Sequence, residues 1–114
     1  MEKLQKLDIN GAMTRLRNNK KLYAMLLKKF DGASMLEDLK NKLANGDSTA
    51  AEAQAHTIKG VAANLSLDDL YAKAEAVESA LKNGKTAAEI NISEISESAA
   101  ETMEAVNLWL SENA

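Results

Sequence analysis

The chain has no cysteine and no proline, a single histidine in 114 residues, five glycines and few aromatics (4% Phe, Trp and Tyr). Each shortage closes off a chemistry. Without cysteine there are no disulfides, no thiol nucleophile and no thiolate metal site, and a reducing compartment is compatible. With His56 alone, a histidine-rich metal site within one chain is excluded as well. No apolar run approaches the ~18 residues of a membrane span, and residues 1–10 (MEKLQKLDIN) lack the apolar core of a secretory signal. A cytoplasmic protein with no membrane contact is the default expectation. The net charge of −3 argues against nucleic-acid binding, which needs a concentrated basic surface. Arg15, Arg17, Lys20, Lys21, Lys28 and Lys29 read as solvated helix faces.

What is present favours one helical domain over residues 1–114. Hydrophobic types make up 46% and charged types 27%, ordinary for a folded domain of this size. Ala, Leu, Lys and Glu dominate and the β-branched residues are scattered, so helix is favoured over sheet. Asp8 can cap a short helix through Leu16, Asn18 or Asn19 a second through Phe30, and Asp31-Gly32 marks a break before a third that ends near Ala44-Asn45-Gly46. Leu36, Leu39 and Leu43 give that third helix a buried stripe.

Asp47 and Ser48 can cap a fourth helix running to Leu65, with an apolar line through Ala51, Ala55, Ile58, Ala62 and Leu65. Ser66-x-x-Asp69 resembles a capping box and predicts a fifth helix at once, with the stripe Leu67, Leu70, Ala74, Val77 and Leu81. Asn83-Gly84 stops it. After a polar connection, a last helix carries Ile92, Ile95, Ala99, Met103, Val106 and Leu110, with Trp109 beside them; Ser93 is its candidate cap, with a start several residues earlier as the alternative. Trp109 and Met103 read as core. Four consecutive amphipathic helices on short turns predict an all-α, up-and-down antiparallel four-helix bundle, with one or two short N-terminal helices covering one end or side. Nothing points to dimerisation, and a monomer is expected.

Helix geometry says where the one imidazole points. At about 100° per residue, His56 lies roughly 140° from the apolar line of its helix and should face solvent. Glu52, Lys59, Gly60 and Ala63 share that outward strip, with Ala53 on its edge. Glycine inside a helix costs about 1 kcal/mol relative to alanine, so Gly60 needs an offsetting gain. Packing against a neighbouring helix is one account; close approach by an outside partner is the other, and it fits a residue opposite the apolar line better. An exposed imidazole, with an ordinary pKa of about 6.5, keeps a ring nitrogen lone pair for nucleophilic attack on phosphorus, and a lysine one turn away can offset phosphoryl charge. No Gly-rich nucleotide loop and no carboxylate cluster suited to Mg²⁺ accompany them. The pattern is that of a phosphoryl carrier without kinase activity of its own.

The segment His56-Thr57-Ile58-Lys59-Gly60-Val61-Ala62-Ala63-Asn64-Leu65 resembles the signature of histidine-containing phosphotransfer (HPt) domains, an H-x-x-K-G core followed by small residues and a leucine. The resemblance continues upstream through Leu7-Asp8-Ile9 and Leu22-Tyr23-x-x-Leu26-Leu27-x-x-Phe30, and downstream through Leu70, Ala74 and Val77-Glu78. It implies a four-helix bundle in which His56 accepts a phosphoryl group from the aspartyl phosphate of a response-regulator receiver and passes it to another receiver. Lys59 would orient and neutralise the group, Glu52, Ala53, Gly60 and Ala63 would meet the docking partner, and the receiver would bring Mg²⁺. A hybrid sensor histidine kinase is a further implied partner. The rival expectation is an inert helical adaptor that binds receivers without chemistry. The chain departs from the family at Ser66, where glycine is common; serine there suits a cap of the following helix. Glu78 matches the family pattern but has no role readable from the sequence beyond a structural or solvated one.

Overall fold

The computed structural model describes residues 8–113, and among these described residues there are six α-helices and no strand. Residues 1–7 and 114, including Leu7 of the resemblance, lie outside the described residues. Helix α1 is Ile9–Arg15, α2 Lys20–Lys29, α3 Gly32–Ala44, α4 Ser48–Leu65, α5 Asp68–Lys82 and α6 Ile92–Asn113.

Side-chain caps set most of the starts. Asp8, Asn19, Asp31 and Asp47 each accept a backbone N–H three residues on, at 3.0 Å, satisfying one of the donors a helix N-terminus leaves unpaired. Asp31 also accepts the Ser34 hydroxyl; the two bonds from Ser34 hold its carboxyl below the usual range. The last helix differs from expectation: Asn91, not Ser93, supplies the cap, its side-chain oxygen accepting the Ser93 N–H. The connection before it contains a single 3-10 turn, Ala87–Glu89, closed by reciprocal bonds between Thr86 and Glu89 and anchored by buried Ala87.

Helices α3 to α6 pack in a closed ring, α3 on α4, α4 on α5, α5 on α6 and α6 back on α3. Helix α2 lies across α6 and α4, and α1 against α2. This is the four-helix bundle with two added N-terminal helices that the apolar periodicity predicts. Ala51, Ala55 and Ala62 of α4 and Ala74 of α5 are fully buried, and such small side chains let these two backbones approach closely. At Gly32 a Cβ would stand 2.9 Å from the Phe30 ring and 3.2 Å from the Met103 sulfur, so any larger residue at the turn from α2 into α3 would have to displace the Phe30 ring.

The buried line of α6 is rotated from the expected one. Ile95, Ser98, Ala99, Thr102, Ala105, Val106 and Trp109 are buried, whereas Ile92, Met103 and Leu110 are only half-buried. Two small polar residues occupy core positions, and Ser98 donates its hydroxyl to Asp69 of α5.

A second correction concerns Ser66. It does not cap α5; it ends α4 in the left-handed conformation, φ 58° and ψ 40°, the position the family commonly gives to glycine. The Leu67 N–H closes the turn onto Ala62 O at 2.8 Å, and helix α5 starts from Leu67 with no side-chain cap. The serine hydroxyl is buried without a hydrogen-bond partner, so here serine performs glycine's conformational task at a cost. The Ser66 carbonyl accepts the Asp8 N–H at 2.8 Å, and the Tyr23 hydroxyl donates to Leu65 O at 2.7 Å. Tyr23 also meets Trp109 edge to face, with ring centres 5.1 Å apart, and burial pushes its phenol up to about 12. The C-terminal end of α4 is thereby tied to α1, α2 and α6.

Candidate functional site

The buried alanine and isoleucine line of α4 turns His56 outward near the middle of the helix, where its side chain is 68% exposed. Gly60, one turn on, is exposed, and a Cβ added there would meet no atom within 4 Å. No neighbouring helix occupies the space its missing side chain leaves. Ala53 is also exposed, and Glu52 and Ala63 are half-buried along the same strip. The four residues expected to meet a partner thus surround the imidazole on one face of α4, with small side chains on either side of it.

The structure adds a residue to which the sequence assigned no role. Glu78 of α5 is buried, its side chain 4% exposed, directly beneath His56. Its Oε2 is 2.8 Å from His56 Nδ1, its Oε1 2.6 Å from Lys59 Nζ, and Lys82 Nζ lies 3.5 Å from Oε2. A buried carboxylate survives only with such partners. They hold the Glu78 carboxyl down to about 2: the hydrogen bond from Lys59 acts most strongly, burial pulls the other way, and His56 adds to the lowering. The same contact with Glu78 raises Lys59 above the ordinary lysine range.

This geometry selects one ring nitrogen. An ionised carboxylate accepts hydrogen bonds and cannot donate, so Nδ1 carries the proton it gives to Glu78. In the neutral ring the lone pair then sits on Nε2, the nitrogen on the far side of the ring from the Glu78 contact. Lys59, by contrast, does not stand free in solvent. Its side chain is 23% exposed and its ammonium is committed to Glu78.

One signal in the sequence could have found Glu78. It falls four residues after Ala74 and eight after Leu70, on the flank of the buried line of α5, where a carboxylate demands a cation from the neighbouring helix. Antiparallel α4 carries that cation in Lys59.

The family model for the Hpt domain matches residues 29–110. The chain belongs to the Hpt domain family. The HPT domain of an Hpt sensor hybrid histidine kinase from Shewanella, a solved crystal structure, superimposes with a TM-score of 0.79 at 19% identity, covering 96% of this chain and 97% of that one. No curated protein matches the chain. Membership of the Hpt family associates the protein with histidine phosphotransfer in phosphorelays in general. No described helix is long and apolar enough to cross a membrane. Among the described residues, no three His, Asp or Glu side chains converge as a metal site requires.

Proposed function

We propose that this Hpt domain accepts a phosphoryl group on Nε2 of His56 from the aspartyl phosphate of a receiver domain and returns it to another receiver. The observation that carries the reading is the pairing of His56 Nδ1 with buried Glu78, which leaves the opposite nitrogen as the nucleophile on an open face. Attack by the Nε2 lone pair forms the P–N bond as the P–O bond to the partner's aspartate breaks, and the bonding pair leaves on that carboxylate. The ring keeps its Nδ1 proton and becomes cationic, and Glu78 stabilises that charge at 2.8 Å. Transfer in the reverse direction uses the same contacts.

Lys59 has two tasks in this scheme. It holds Glu78 in place in the resting site, and it orients and neutralises the phosphoryl group when its ammonium turns from that carboxylate. Gly60, Ala53, Ala63 and Glu52 form the docking rim, on which the absence of bulk lets the receiver bring its phosphate to the ring. Mg²⁺ is supplied by the receiver. A hybrid sensor kinase stands upstream, and the domain works in the cytoplasm as a monomer.

The test is incubation with phosphorylated receivers and Mg²⁺. Wild type should gain acid-labile, base-stable phosphate and His56→Gln none, while His56→Gln keeps its fold because the ring is exposed. Binding of receivers without any labelling of wild type would establish the inert adaptor instead.

A further inference from the structure

The three groups on Glu78 are not held alike. Lys59 sits at 2.6 Å with its side chain 23% exposed, whereas Lys82 sits at 3.5 Å with 58% exposure. The first is a short, sheltered ion pair; the second is a loose surface contact between residues four apart on α5, of the kind that contributes little and exchanges readily with water. Charge bookkeeping sharpens the difference. Glu78 and Lys59 cancel one another, His56 is neutral when it acts as a nucleophile, and the nearest further groups along the two helices, Glu52 and Glu75, are acidic. A phosphoryl group arriving on Nε2 brings two negative charges, and of the two lysines on Glu78 the one held more loosely is Lys82. That cation meets Oε2, the same carboxylate oxygen that His56 Nδ1 contacts.

We infer that Lys82, released from Glu78, is a second cation that contacts the phosphoryl oxygens on His56, in addition to Lys59. This inference rests on His56 being the phosphoryl acceptor and adds a neutralising contact from a lysine outside the H-x-x-K-G segment. When Nε2 gains phosphorus, the proton stays on Nδ1 facing Glu78. The ring-bound Nδ1–H then becomes a stronger donor to Oε2, the oxygen Lys82 had shared, and the ammonium is exchanged from that oxygen to the new dianion. No proton or electron pair other than those of the P–N and P–O bonds changes hands.

The experiment loads His56 chemically, with phosphoramidate in place of a receiver, so that it does not depend on finding the partner. Wild type, Lys82→Gln, Lys82→Arg, Glu78→Gln and the Glu78→Gln/Lys82→Gln double variant are compared by ³¹P NMR. Loss of one unit charge about 4 Å from the phosphoryl group in water should slow loading about fivefold in Lys82→Gln, with the deficit shrinking as salt is raised. Lys82→Arg should load close to wild type. A lysine that merely steadied Glu78 would lose its effect once Glu78 is Gln; direct contact requires the same fold-change in that background. If Glu78→Gln does not fold, the phosphoryl group itself reports: its second ionisation should move to higher pH in Lys82→Gln than in wild type. Equal loading of wild type and Lys82→Gln, a deficit that vanishes in the Glu78→Gln background, or an unmoved ionisation would overturn the inference. Failure of every phosphorylated receiver to label wild type, with phosphoramidate still loading it, would instead strike the relay reading and leave Lys82 in place.

Discussion

Replacing Glu78 with glutamine keeps the shape of the side chain and deletes its charge, which makes it the sharpest probe of the network under His56. Three groups lose an anion at once: His56 at 2.8 Å, Lys59 at 2.6 Å and Lys82 at 3.5 Å. Complete burial of an orphaned lysine would cost about 3–5 kcal/mol, but Lys59 is partly exposed and Lys82 more so, and both can turn to water. What remains is the difference between a charge-assisted and a neutral hydrogen bond at a buried acceptor, about 1–2 kcal/mol of folding stability at pH 7. The pH dependence follows from the carboxyl being held down to about 2 in the folded chain against 4.5 in its absence. A group whose folded pKa is depressed stabilises the protein above its unfolded pKa and loses that contribution as pH falls toward the folded value. Urea unfolding of both proteins should therefore show the full gap at and above pH 5. The gap should narrow steadily between about 4.5 and 2, where wild-type Glu78 is protonated too. An equal gap at pH 7 and pH 2.5, or none at pH 7, would refute the reasoning. On chemistry, the amide can still accept from Nδ1 but no longer balances a cationic ring, so phosphoryl acceptance should slow about tenfold.

Two further substitutions separate fold from site. Gly60→Ala should stabilise the domain by about 1 kcal/mol in thermal or urea unfolding, because its Cβ meets nothing within 4 Å, and yet should weaken receiver binding in titration calorimetry. Unchanged stability with unchanged binding would mean that the open face has no partner. Ser66→Gly should raise stability by about 1 kcal/mol, since it relieves a left-handed residue and removes a buried hydroxyl without a partner, with phosphotransfer unaffected. Destabilisation would show that the serine hydroxyl contributes to the turn.

The sequence made the bundle and the exposed strip legible for one reason: large and small apolar side chains repeat with the helix period, and whatever lies opposite them must face out. That argument located the buried line of α4 and, by subtraction, the exposure of His56, Ala53 and Gly60. It misjudged α6 because Ser98 and Thr102 are small enough to pack in the core, while Met103, counted as apolar, sits on its margin. Capping rules failed at Ser66 because serine is favoured at helix starts, whereas here the chain needs a left-handed residue between two helices that follow each other without a loop. Glu78 was missed because its role exists only between helices. No spacing within α5 tells that Lys59, nineteen positions earlier, will lie 2.6 Å away. The same holds for Lys59 itself, whose place on the strip suggested a free cation and whose ammonium is engaged.

The central claim is that one particular nitrogen, Nε2 of His56, takes the phosphoryl group. Because the chain has a single histidine, its imidazole nitrogens can be observed without ambiguity in ¹⁵N-histidine-labelled protein before and after incubation with a phosphorylated receiver. Phosphorus coupled to Nε2, with the proton retained on Nδ1, is the expected spectrum; phosphorus on Nδ1, or transfer that leaves the ring unchanged, would contradict the account.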